Sequence, residues 1–199
     1  MPAENKFCVP MDEILSKVSD KACTDILEYI DKFPSKFRSY INVNGKTVRA
    51  PVDVKKGFSS WRLSDDPDAL PFVLDLCNNE NLNVNLNKAA IVVQRCITYV
   101  PPHTDPGKVT SLLYNIKGKA TTNFYTTTNF IPDIDYKDTK LEKVFSIDME
   151  LKRWYLFNNR AIHEVVDIEG DVRVSLVINL HDLFKDLDET ILRIQEIFI

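Results

Sequence analysis

From Ala89 onward the chain consists almost entirely of short β-prone runs, and this constrains its fold more than any other feature. AAIVVQRCITYV (89–100), VTSLLYNI (109–116), TTNFYTT (121–127), KVFSI (143–147), RWYLFN (153–158), HEVVDI (163–168) and VRVSLVINL (172–180) are rich in β-branched and aromatic residues. Between them lie PPHTDPGK, KGK, NFIPDIDYKD, DMELK, NNRA and EGD, all turn-forming in composition. Seven or eight strands joined this closely predict a β-sandwich or barrel.

The flanks read differently. Residues 11–32 carry helical spacing, with Met11, Ile14, Leu15, Val18, Ala22, Ile26, Leu27 and Ile30 on one broad face and Pro34 as the stop. Asn44-Gly45 predicts a small hairpin, and residues 67–77 a short helix opened by Pro67. Residues 182–199 return to helical spacing through Leu183, Phe184, Leu187, Ile191, Leu192 and Ile194. The expectation is one mainly β domain over 1–199. It comprises a helical and irregular N-terminal part (1–88), a β-core (89–181) and a C-terminal helix (182–199), with helices covering one sheet.

Composition narrows the function classes. Of the 199 residues, 44% are hydrophobic, enough for a packed core and against disorder. The net charge of -4 comes with no basic stripe, so nucleic acid is not an expected partner. No apolar run approaches the roughly 18 residues of a membrane span. Cysteines at 8, 23, 77 and 96 form no C-x-x-C pair, which favours reduced thiols in the cytoplasm over zinc or a disulfide framework.

The chain has only three histidines, and two of them stand where chemistry needs them. His103 and Asp105 are two apart, so an extended backbone points both to one side. Prolines at 101, 102 and 106 stiffen that backbone. His163 follows the turn NNRA on another strand and can reach the same ion. Two imidazoles and one carboxylate on one face of Fe(II) leave three positions open. A glycine or alanine at position 105 would instead free a site for halide. In DVRVSLVINL, Arg173 and Ser175 share a face, and an arginine inside an apolar strand is costly unless paired. Its partner is either an acidic neighbour, Glu164 or Asp167, or the far carboxylate of a bound dicarboxylate. Tyr114 is a further candidate for that carboxylate. His181 reads as a strand-end or capping residue. Arg95, Arg160, Trp61 and Trp154 are weaker candidates for a substrate cleft.

These residues resemble the Fe(II)/2-oxoglutarate-dependent dioxygenase superfamily, in its prolyl hydroxylase and aspartyl/asparaginyl β-hydroxylase-like branches. YVPPHTDPGKVTSLLYNIKGKATTNFYT is similar to the first metal motif and the strands after it. RWYLFNNRAIHEVVDIEGDVRVSLVINL is similar to the distal-histidine and arginine region. The resemblance spans about residues 89–181 and implies a double-stranded β-helix (jelly-roll, cupin-like) core. It implies His103, Asp105 and His163 as iron ligands, Arg173 and Ser175 as 2-oxoglutarate partners, and Tyr114 at a co-substrate tyrosine. The strand before the metal motif departs from the prolyl hydroxylase pattern, with Val93 and Arg95 where that branch has a second tyrosine. Fe(II), 2-oxoglutarate and dioxygen are the implied cofactor and co-substrates. Hydroxylation of an amino-acid side chain, free or within a protein, is the implied reaction. Two other readings stand beside it: a non-catalytic jelly-roll binding module, and a metal-dependent isomerase or hydrolase on a cupin-like fold. Cupins generally use more histidines than this chain offers.

Overall fold

The β-prone runs after Ala89 fold into two facing antiparallel sheets. The computed structural model describes residues 7–11, 15, 17–33, 38–43, 46–51, 57–62, 89–95, 99–105, 110–128, 136 and 140–179. The eight strands of the core are β5 (Ala89–Arg95), β6 (Val100–His103), β7 (Thr110–Lys117), β8 (Ala120–Thr126), β9 (Glu142–Met149), β10 (Trp154–Asn158), β11 (Ile162–Val166) and β12 (Val172–Asn179). The larger sheet contains β10-β7-β12-β5, and the smaller is β6-β11-β8-β9. Chain order alternates between the sheets except at the β8–β9 pair, which is the winding of a jelly roll.

The run 89–100 is therefore not one strand. β5 pairs with β12 in the larger sheet and β6 pairs with β11 in the smaller. β6 also includes Pro101 and Pro102, which the composition alone assigns to a turn. It is an edge strand, the one place in a sheet where missing N–H groups cost little.

The N-terminal part is less helical than its spacing predicts. β1 (Cys8–Pro10) pairs with β10, and at its end the Met11 N–H donates to the Trp154 carbonyl while the Met11 carbonyl accepts from the Leu15 N–H. The helix α1 runs over Asp20–Lys32 only. Ser19 caps it, accepting from the Ala22 N–H, and Ala22, Cys23, Ile26 and Ile30 form its buried stripe. β2 (Arg38–Val43) and β3 (Lys46–Pro51) form the hairpin expected around residues 44–45. With β4 (Gly57–Arg62) they extend the larger sheet beyond β5 to eight strands. The helices expected at 67–77 and 182–199, and His181, lie outside the described residues.

Strand parity divides the core. On β12, Arg173, Ser175 and Val177 face the space between the sheets, while Val174, Leu176 and Ile178 are buried on the other face. Cys8, Phe124, Met149, Tyr155 and Phe157 form one buried apolar cluster. Ala120, Val165 and Ile168 form a second. Among the described residues no helix is long and apolar enough to cross a membrane.

Gly118 makes the crossing from β7 to β8 with a φ of +75°, and a Cβ there would lie 2.9 Å from the Val172 carbonyl oxygen and 3.0 Å from the Arg173 Cα. Gly118→Ala is expected to cost about 1–3 kcal/mol in urea unfolding, because it combines backbone strain with a backbone clash. A loss below about 0.5 kcal/mol would contradict this account of the turn.

Candidate metal and co-substrate site

β11 lies between β6 and β8, and its register sets His163 directly opposite His103. The ring centroids are 4.4 Å apart. Each ring places Nδ1 against a carbonyl two residues before it: His103 against Pro101 at 2.8 Å, His163 against Ala161 at 2.9 Å. A carbonyl only accepts, so each Nδ1 carries a proton, and in the neutral ring Nε2 is the nitrogen that keeps the lone pair. That is the tautomer a metal ligand needs. Phe157 meets His163 edge-on, with centroids 4.8 Å apart, and fixes the ring plane. His163 is buried, whereas His103 and Asp105 line the mouth of the cavity and are about 30% open.

Asp105 follows β6 with its side chain on the same side as His103, and Oδ1 lies 3.9 Å from His103 Nε2. Its backbone N–H donates to the Asn159 carbonyl at 3.0 Å. Among the described residues no group of three or more His, Cys, Asp or Glu side chains is placed closely enough to hold a metal ion as it stands. The two imidazoles and the carboxylate share one cavity and one mouth.

That cavity has a volume of about 120 Å³ and runs inward between the sheets to Arg173 and Ser175. Val92, Val100, Leu113, Phe157, Val165 and Val177 supply much of its wall. Arg173 is buried, and its described partners are neutral amide oxygens: Gln94 Oε1 accepts from Nη1 and Asn115 Oδ1 from Nη2, both at 3.0 Å. Its Nε has no partner among the described residues. Burial pulls the guanidinium pKa down to about 10, which still leaves it charged at neutral pH. Ser175 Oγ donates to the same Asn115 Oδ1 at 2.7 Å, and Asn115 Nδ2 donates to the Met149 carbonyl at 3.0 Å.

Neither acidic alternative pairs with this arginine in the described contacts. Glu164, next to His163 but on the opposite face of β11, accepts from Asn123 Nδ2 at 2.9 Å and from the Tyr125 hydroxyl. Burial and the Glu164 carboxylate push that tyrosine up to about 12. Asp167 is exposed, at a turn position with φ 51°.

Tyr114 does not reach the cavity, contrary to expectation. Parity on β7 turns Ser111, Leu113 and Asn115 inward and Tyr114 outward, where its hydroxyl donates to the Val18 carbonyl at 3.4 Å and its ring packs on Trp154. Trp154 is likewise a core residue, and Arg160 is exposed. The side chains of Trp61 and Arg95 lie outside the description. Three polar residues at the site went unread in the sequence: Gln94, Asn115 and Asn159. All are buried, and a buried amide needs partners. The signal available was parity, since Asn115 lies an even number of residues from Ser111 and Leu113.

In sequence, no family model and no curated protein matches the chain. Solved structures do share its architecture. The epimerase SnoN in complex with Fe3+, alpha ketoglutarate and nogalamycin RO has a TM-score of 0.54 and 9% identity, over 88% of this chain and 78% of that one. A prolyl hydroxylase from Trichoplax adhaerens, in complex with a hypoxia inducible factor oxygen degradation domain peptide fragment, has a TM-score of 0.53 and 15% identity, covering 94% and 87%. E. coli ycfD has a TM-score of 0.52 and 11% identity, covering 96% of this chain and 53% of that one. At these identities the shared property is the fold, a mainly β jelly roll.

The outward position of Tyr114 generates a prediction. Tyr114→Phe removes the long hydrogen bond to the Val18 carbonyl and is expected to cost about 1 kcal/mol or less in urea unfolding. It leaves the cavity wall intact, so any dicarboxylate affinity measured by calorimetry stays within about twofold. A tenfold loss would return the hydroxyl to the cavity.

Proposed function

We propose that this chain is a 2-oxoglutarate-dependent non-haem iron oxygenase. His103, Asp105 and His163 hold Fe(II), and Arg173 with Ser175 holds the far carboxylate of 2-oxoglutarate. One observation carries the reading: a buried guanidinium, surrounded in the described contacts by neutral oxygens, lines the same cavity as a carboxylate and two imidazoles whose Nδ1 atoms face backbone carbonyls. A buried charge without a counter-charge is strongly unfavourable, and a ligand carboxylate removes that penalty. The fold supports the reading, being shared with an alpha ketoglutarate dependent epimerase and a prolyl hydroxylase.

The donor set fits the group. Two neutral imidazoles and one carboxylate suit Fe(II) and leave room for a chelating co-substrate and dioxygen. When bound, iron and 2-oxoglutarate supply oxidation of a C–H bond by dioxygen, coupled to decarboxylation of 2-oxoglutarate to succinate. The chain's own residues do the rest. The Pro101 and Ala161 carbonyls hold the Nδ1 protons, so both imidazoles present a lone pair at Nε2. Gln94 and Asn115 aim the guanidinium and keep it from folding back. Val92, Leu113, Phe157, Val165 and Val177 exclude water and so strengthen the charge pairing inside. The favoured reaction is hydroxylation of an amino-acid side chain, free or in a protein. The motif resemblance and the peptide held by the prolyl hydroxylase neighbour support it.

Calorimetric titration of 2-oxoglutarate into Mn(II)-loaded protein tests the assignment. Wild type is expected to bind, and chelation of the metal to abolish binding. Arg173→Met is expected to weaken it on the order of 30-fold or more, the equivalent of at least about 2 kcal/mol for losing one partner of a buried charge pair. Gln94→Glu gives the arginine an internal carboxylate and is expected to weaken 2-oxoglutarate on the order of tenfold, the like charge competing for one cation. Undiminished binding in Arg173→Met would overturn the co-substrate assignment.

A further inference from the structure

Asp105 is held from behind by an amide that no sequence motif marks. Asn159, in the turn between β10 and β11, is 2% exposed. One end of its side-chain amide lies 3.0 Å from Asp105 Oδ2, and the other lies 2.7 Å from Ser111 Oγ and 3.2 Å from the Ser111 N–H. A carboxylate only accepts, so the end facing Asp105 is the NH2. The end facing the Ser111 N–H is then the oxygen, and both ends are satisfied at once. The Ser111 hydroxyl donates to Asn179 Oδ1, at the end of β12, at 2.7 Å, so the Ser111 backbone N–H is the donor that holds the Asn159 oxygen.

The arrangement divides the work of the two carboxylate oxygens. Oδ2 is taken by Asn159, while Oδ1 is the oxygen turned toward His103 Nε2, at 3.9 Å. Building on the proposed iron site, we infer that Asn159 is a positioning residue: it reserves Oδ2 and restricts Asp105 to binding metal through Oδ1 alone. Bidentate binding would occupy one of the positions that a chelating co-substrate and dioxygen both need. Asn159 also links the sheets at the mouth, since Ser111 and Asn179 belong to the larger sheet and Asp105 follows the smaller.

The test is Co(II) binding to the 199-residue chain, followed by its visible spectrum and by thermal melts with and without metal. Wild type is expected to bind Co(II), and His163→Ala to lose binding. Asn159→Ala is expected to weaken Co(II) on the order of tenfold to a hundredfold, as loss of a ligand-orienting partner does, and to change the band intensity as the second oxygen becomes free to coordinate. Ser111→Ala leaves Asn159 in place but removes the hydroxyl that lies between it and Asn179, and should weaken Co(II) in the same direction. It decides the matter if Asn159→Ala does not fold. A merely structural role would lower the melting temperature of the metal-free protein and leave both affinity and spectrum as in wild type, which overturns the inference. Wild type without Co(II) binding would instead sink the iron site itself. Wild type binding that is lost in His163→Ala but unchanged in the Asn159 and Ser111 variants would sink only the role of Asn159.

Discussion

The pairing of β11 with β6 is the constraint from which the site follows. Antiparallel hydrogen bonding puts His163 opposite His103, and the pleat turns both rings to the same side of the sheet. A slip of one residue would send one ring to the outer face, where Glu164 now sits with Asn123 and Tyr125. The backbone also sets the chemistry of the rings, since the carbonyls of Pro101 and Ala161 face both Nδ1 atoms. The ring orientation that the proposed metal site needs is a product of strand geometry more than of the histidines themselves.

The second half of the site is an electrostatic cost accepted by the fold. Arg173 occupies the larger sheet between Gln94 on β5 and Asn115 on β7. Neutral amides satisfy some of its donors without cancelling its charge. A carboxylate in either place would give a more comfortable structure and a poorer receptor for an anion. Gly118, without a Cβ, lets the β7–β8 crossing lie directly on the Arg173 backbone and so contributes to placing that strand. The cation on one sheet and the imidazole pair on the other face each other across the cavity because the jelly roll winds consecutive strands into opposite sheets.

Much of this was legible in the sequence, and the rest was not for identifiable reasons. The strand runs after Ala89, the H-x-D pair and the shared face of Arg173 and Ser175 all follow from period-two alternation, which survives without tertiary information. The sheet a strand joins does not follow: AAIVVQRCITYV reads as one strand, yet it contributes to β5 and β6 in different sheets. The helical spacing of residues 11–32 is real, but Met11 bonds to Trp154 and the helix begins only at Asp20. Tyr114 was misplaced because resemblance suggested a role that its parity on β7 denies. Asn159 was invisible because NNRA is ordinary turn composition. Its value depends on Ser111 and Asp105, which are distant in sequence from it and near in space.

The account stands on one ligand reaching both halves of the cavity. Anaerobic addition of Fe(II) and then 2-oxoglutarate, with the visible charge-transfer band of the chelate as readout, tests that directly. The band should form in wild type, fail in His163→Ala, and require far more 2-oxoglutarate in Arg173→Met. No band in folded, iron-binding wild type, or a band that titrates identically in Arg173→Met, would contradict it.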